Sequence, residues 1–337
     1  MQNGLFSWAN IKALWSRGDQ AINPSAQVVL NEATYLPLVD MMRYRYESKQ
    51  LSLVNKASVH SRQPSGHKTK LRGRGIDFDE VRRYQPGDDI RSMNWRVLAK
   101  TGHPHTKLFR DERERPVLIF ADYSPSMFFA TQGVYKSVIV SQIAAILAWL
   151  TFHHGDRLGG LAFSQTGHRE FKPRRQQNTI LKFIAMLDDM QKNASREVIP
   201  GSSLLSPNLS ILRRISHSGS LIVVLSDFRQ HDEKTAIHFE RLARHNDIIL
   251  IHVVDPLEQV LPPAGYFRVS DGTRQHILNT HSERKRHAYA RRYQEQVQAL
   301  KSLCWRSGMS FLQVSTEDNV MSTLQGSQAC SRFFNVK

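Results

Sequence analysis

Residues 117–126 read VLIFADYSPS. Val117–Ala121 is a continuous apolar run of strand length, the pattern of a strand buried on both faces. It ends at Asp122, and Ser124 and Ser126 follow at alternate positions across a turn that contains Pro125. The same construction recurs downstream. Leu221–Leu225 (LIVVL) is followed by Ser226-Asp227, and Ile248–Val254 (IILIHVV) by Asp255. Between these runs the sequence predicts a helix over Tyr135–Phe152, apolar on nearly every face, and a strand over Leu158–Phe163 after the Gly155-Asp156 turn. Further helices are predicted over Thr179–Met190, from Ser206-Pro207 to about residue 215, and over Ser282–Arg306, capped by Ser282 and stopped by Gly308. Short apolar runs alternating with helices specify a doubly wound, mostly parallel Rossmann-type α/β sheet over residues 116–337. Residues 1–115 are expected to form a smaller N-terminal α+β region. Within it, residues 26–54 are read as helix packing on the larger domain.

The chain has 337 residues, 40% of them hydrophobic and 23% charged, which is the composition of a folded protein with a sizeable core. Forty-six Lys+Arg against thirty Asp+Glu give a net charge of +16, which favours anionic partners. With only Cys304 and Cys330, neither a disulfide framework nor a multi-thiolate zinc site is available, and a reducing compartment is the simplest home. Met1–Trp15 lacks the pattern of a signal peptide. Ser137–Phe152, interrupted by Ser141 and Gln142, is too short and too polar to span a bilayer. The expected location is the cytoplasm, with any membrane association peripheral and through partners. Residues 55–76 carry six basic residues and no acid, among them Lys68, Lys70, Arg72 and Arg74. This stretch is either a partner-binding footprint or a solvated loop.

In open parallel sheets, ligands bind at the carboxyl ends of strands where the chain order reverses. Asp122, Ser124 and Ser126 offer one carboxylate and two hydroxyls there, a partial oxygen set for a hard cation: Mg²⁺, or alternatively Mn²⁺ or Ca²⁺. Loops at other strand ends, Gly201-Ser202-Ser203 and Ser226-Asp227, can complete it. Alone, Asp and Ser at this spacing more often make caps and Asx turns. Their position after a buried strand, and the second Ser-Asp about a hundred residues on, favour the site.

This arrangement resembles a von Willebrand factor A-type (vWA) domain with its metal-ion-dependent adhesion site. The resemblance matches Asp122, Ser124 and Ser126 to the first motif and Asp227 to the last aspartate. It places the threonine position in Gly201-Ser202-Ser203, where this chain has serine, with Ser202 and Ser203 both open. Upstream, Gly73–Arg91 (GRGIDFDEVRRYQPGDDIR) followed by Asn94-Trp95 is similar to the signature of the bacterial domain-of-unknown-function family fifty-eight, whose members join this block to a vWA-like domain. Its structural residues are Arg82, Asp88, Asp89, Arg91, Asn94 and Trp95, with Asn94 where that family usually has aspartate. The resemblance implies a partner, a AAA+ ATPase of the MoxR type. It also implies the role of a non-enzymatic adaptor or co-chaperone that recruits a client protein offering an acidic residue to the metal.

Competing readings use the same residues. A metal-dependent phosphoesterase would take Asp88, Asp89 or Asp227 as base, although two-metal chemistry needs more convergent carboxylates than are visible. A nucleic-acid binder would use residues 55–76, without a recognised groove-reading module. Ser124 lacks the G-x-S-x-G setting of a nucleophile elbow, and no phosphate-binding P-loop is present. His103 and His105 read as loop residues, and Arg284, Lys285, Arg286, Arg291 and Arg292 as a docking face or a solvated helix surface.

Overall fold

A computed structural model describes residues 12–13, 33–53, 76–85, 93–111, 115–195, 203–270, 275–327, 331 and 333–336. The chain divides into two compact units, residues 55–114 and the remainder. This differs from the expected division into 1–115 and 116–337, because Leu38–Glu47 belongs with the larger unit. That helix, α1, buries Met41, whose carbonyl accepts a hydrogen bond from Trp149 Nε1 at 3.1 Å. The Arg45 guanidinium lies over the ring of the same tryptophan at 5.6 Å. Leu51–Leu53 also pairs antiparallel with Phe334–Val336, tying both ends of the unit together.

The larger unit is built on one six-stranded sheet: β1 Pro116–Tyr123, β2 Arg157–Ser164, β3 Gly167–Arg174, β4 Leu221–Ser226, β5 Asp247–Val254 and β6 Ser310–Ser315. The order across the sheet is β3-β2-β1-β4-β5-β6. All neighbours are parallel except the β2–β3 pair. This is the mostly parallel, doubly wound sheet that the apolar runs specify. β3 is absent from the sequence reading. Its residues, GHREFKPR, are exposed or half-buried on an antiparallel edge and so lack an apolar run.

Val117–Tyr123 of β1 is buried throughout, and the side chains alternate between two cores with period two. Val117, Ile119, Ala121 and Tyr123 enter one core with α1, α2 (Lys136–His153) and α3 (Gln177–Asn193). Leu118 and Phe120 enter the other with α4 (Leu205–Ile215), α5 (Glu233–Ala243) and α7 (Glu283–Arg306). The four-residue α6, Pro256–Gln259, follows β5. By length and composition α2 could cross a membrane, but 83% of it is buried inside the fold, where it is the central core helix. Ser282 caps α7 through the Lys285 amide, and Gly308 ends it at φ 68°, as read from the sequence. Ser206 does not cap α4. It is buried within the helix, and Gln230 Oε1 accepts from the amides of Leu204 and Leu205 instead.

In the smaller unit, Ile76–Arg83 pairs antiparallel with His105–Asp111 around a bulge between Phe78 and Glu80. Asn94 caps the helix Trp95–Thr101 by accepting from the Val97 amide, and Trp95 is exposed. Of the signature residues, Arg82 lies in the first strand, while Asp88, Asp89 and Arg91 lie outside the described residues, as do Lys68, Lys70, Arg72 and Arg74.

Gly160 sits where β2 passes β1, and a Cβ there would lie 2.2 Å from the Ile119 carbonyl oxygen. Gly160→Ala should therefore cost about 3 kcal/mol or more, because neither backbone can yield within the sheet. Gly219→Ala meets nothing within 4 Å and only strains a residue at φ 85°, so about 1–2 kcal/mol is expected. Urea denaturation of the two variants checks this ranking.

Candidate metal centre

The order reverses between β1 and β4, so the crevice at their carboxyl ends is the topological switch point of the sheet. Asp122 and the Ser226-Asp227 pair stand there because Ala121 is in register with Leu225. Asp122 is buried. Its Oδ1 accepts from the Ser124 amide at 2.7 Å and its Oδ2 from Ser226 Oγ at 2.6 Å. The Ser124 and Ser126 hydroxyls lie 3.2 Å apart, and both also bond to site carboxylates: Ser124 to Asp122 and Ser126 to Asp227. One carboxylate and two hydroxyls thus converge as the sequence spacing predicts.

Asp227 is also buried, but it has a cationic partner absent from the sequence reading. Lys136, the first residue of α2, is wholly buried. Its ammonium donates to Asp227 Oδ2 at 2.8 Å and to Glu258 Oε1 at 2.6 Å. Arg229 stands 3.8 Å from the same Glu258 oxygen, and its amide donates to Asp227 Oδ1 at 3.2 Å. Phe228 between them adopts φ 50°, a left-handed conformation unusual for a bulky residue. His252 is buried beside Asp227 and bonded to its backbone, and burial pushes its imidazole down to about 4.

The two aspartates are driven apart. Burial, then the charge of Asp227, raises the Asp122 carboxyl from 3.8 to about 6 against the pull of Ser226 and Ser124. Burial also pushes Asp227 upward, but the charges of Lys136 and Arg229 outweigh it and hold that carboxyl below its ordinary range. Asp122 is therefore a buried carboxylate served only by neutral donors, with two further hydroxyls at hand. This donor set fits one hard cation on the Asp122 side of the crevice. The charge of Asp227 is already met.

The other expected members stand as follows. Ser203 is exposed, and its neighbour Leu204 is bound through its amide to Gln230, three residues beyond Asp227; Gly201 and Ser202 lie outside the described residues. Asp255, the third strand-end carboxylate, turns away to cap α6 through the Leu257 amide. It also accepts from Thr131 and Thr316, pinning the loop that follows Ser126. Lys136 and Glu258 had no usable sequence signal, lying 91 residues before and 31 residues after Asp227.

A family model described as "Protein of unknown function DUF58" matches residues 80–299. An uncharacterized protein of Mycobacterium tuberculosis and one of Mycobacterium bovis are each 29% identical over 206 residues, covering 59% of this chain and 61% of theirs. The chain thus spans about three fifths of the length of the curated relatives it matches. Among solved structures, an aerotolerance-related membrane protein from Bacteroides fragilis is similar at TM-score 0.40 and 14% identity, over 62% of this chain and 94% of that one. BatB from Bacteroides thetaiotaomicron is similar at TM-score 0.38 and 13% identity, over 65% and 98%. A von Willebrand factor type A protein from Catenulispora acidiphila is similar at 0.31 and 13%, over 44% and 35%.

Lys136→Met leaves Asp227 and Glu258 buried without their ammonium, and should lower stability by about 3–5 kcal/mol in urea unfolding. For pH, the folded state retains a proton on Asp122 that the unfolded chain gives up between about 4 and 6. Stability in metal-free buffer should thus fall by about 3 kcal/mol as pH rises through that window. Asp122→Asn should abolish this decline. Asp227 has the opposite sign: its contribution is complete above about pH 4 and is lost as the solution is acidified. Chemical unfolding at stepped pH in EDTA separates the two.

Proposed function

This chain belongs to the DUF58 family, and we propose that it acts as a non-enzymatic, metal-dependent protein-interaction adaptor. The observation that carries this reading is Asp122, a buried carboxylate held only by neutral donors beside the Ser124 and Ser126 hydroxyls. Burying such a charge without a cation is costly, and a divalent ion removes the cost. A Mg²⁺-type cation would be held by Asp122, Ser124 and Ser126, with Ser202 or Ser203 as the further hydroxyl ligand of the vWA pattern, and would supply positive charge for a carboxylate of the partner.

Binding rather than turnover is supported by the state of the hydroxyls. Ser124 is engaged with Asp122 and Ser126, not with an imidazole that could take its proton. The charge on Asp227 is balanced by Lys136 and Arg229, which makes it a poor general base. The partner proposed is a client protein presenting Asp or Glu, with remodelling supplied by a MoxR-type AAA+ ATPase, and the setting proposed is the cytoplasm.

Capture of the tagged full chain from its own cells, in Mg²⁺ and in EDTA, beside Asp122→Ala, tests this. The expected outcome is an ATPase or client retained only with metal and with Asp122 intact, the recovery falling at least tenfold in either control. Recovery indifferent to both, or turnover of a phosphoester lost in Asp122→Ala, would replace the adaptor reading.

A further inference from the structure

Lys136 has no counterpart in the ligand pattern of a site built from Asp, Ser and Thr, yet its ammonium occupies the side of the crevice where Asp227 would meet a cation. Asp227 Oδ2 accepts it at 2.8 Å, and Asp227 Oδ1 is taken by the Arg229 amide. The lysine cannot swing away. It is wholly buried, its amide donates to the Phe129 carbonyl at 3.2 Å, and α2 behind it is buried along its length. Its second partner is equally fixed, because Glu258 Oε2 accepts the Asp255 amide within the capping box of α6. The ammonium is thus clamped between two carboxylates beside the place where the divalent ion would sit.

We infer that Lys136 is a resident counter-cation that removes Asp227 from metal ligation and weakens divalent binding at Asp122, Ser124 and Ser126. This rests on the metal reading of the Asp122 side and deepens it. Like charges repel in a low-dielectric crevice, and the lysine already holds Asp227, the aspartate for which the metal would compete. The consequence is a site that holds its ion loosely until a partner's carboxylate adds a further ligand. Metal and partner would then bind together.

The test is a calorimetric titration of the full chain with Mn²⁺ alone. Lys136→Gln combined with Glu258→Gln removes one charge of each sign and frees Asp227. This double variant is expected to bind Mn²⁺ at least tenfold more tightly than the unmodified chain, and a further Asp227→Asn is expected to cancel the gain. A structural ion pair alone would move stability but not this Asp227-dependent affinity. A double variant with no gain, or a gain that survives Asp227→Asn, overturns the inference.

A second variant keeps the test open should the double variant fail to fold. Asp227→Asn in the otherwise unmodified chain leaves Lys136 paired with Glu258. It is expected to lose less than tenfold in Mn²⁺ affinity, whereas Asp122→Asn loses binding altogether. Equal loss in both overturns the inference, since Asp227 would then be a ligand. The two readings fail separately. Mn²⁺ bound by the double variant but not by the unmodified chain would sink the metal-dependent adaptor and leave the lysine's role standing. Mn²⁺ bound equally by both would do the reverse, and binding by neither would overturn both.

Discussion

One buried ammonium organises the crevice. Lys136 begins α2, Asp227 follows β4 and Glu258 lies in α6 after β5, so a single side chain joins three crossover connections of the sheet. Such a triad adds little net stability compared with well-packed apolar residues, because each charge has been stripped of water. It does penalise any other arrangement, since displacing one member strands the others. It therefore fixes how the loops after β1, β4 and β5 sit against one another, and the hydroxyls of Ser124 and Ser126 take their places within that frame.

The sheet supplies the rest. Strand order β3-β2-β1-β4-β5-β6 puts the reversal beside β1, and the parallel register between β1 and β4 brings Asp122 alongside Ser226. The two cores on either face pack around β1, and Asp122 at its end is left 4% exposed. Its carboxyl rises because the fold denies it water, while Asp227 falls because the fold gives it a lysine. Two chemically identical side chains are thus set to different tasks by their surroundings.

The fold was legible where burial leaves a one-dimensional mark. VLIFA, LIVVL and IILIHVV are buried on both faces, so each shows as an unbroken apolar run. β3 left no such mark because an exposed antiparallel edge needs none, and the polar sequence GHREFKPR conceals a full-length strand. The site was half legible for a related reason. Asp122, Ser124 and Ser126 lie within five residues, so their convergence follows from one turn. Lys136 and Glu258 meet only across 122 residues, and the lysine at the start of an apolar helix looks like an ordinary flanking charge. The helix start read at Ser206-Pro207 falls just inside α4, because a side chain from another loop, Gln230, accepts from the first amides through space.

Phe228 shows how much the crevice is asked to bear. A left-handed conformation in a bulky residue costs on the order of 1–3 kcal/mol and persists only where its surroundings over-determine it. Here the ring is buried against Phe239 and His252, with centroids 6.2 and 6.0 Å away, and the amide is held by Ser226 Oγ. The turn this enforces aims the Arg229 amide at Asp227 and keeps the Arg229 guanidinium near Glu258. A fold selected for stability alone would relieve the turn with glycine and replace the buried charges with apolar packing. This one retains strain, a stranded carboxylate and a clamped ammonium within one crevice at the switch point. On the metal reading proposed above, the binding of an ion and a partner carboxylate would offset part of these costs.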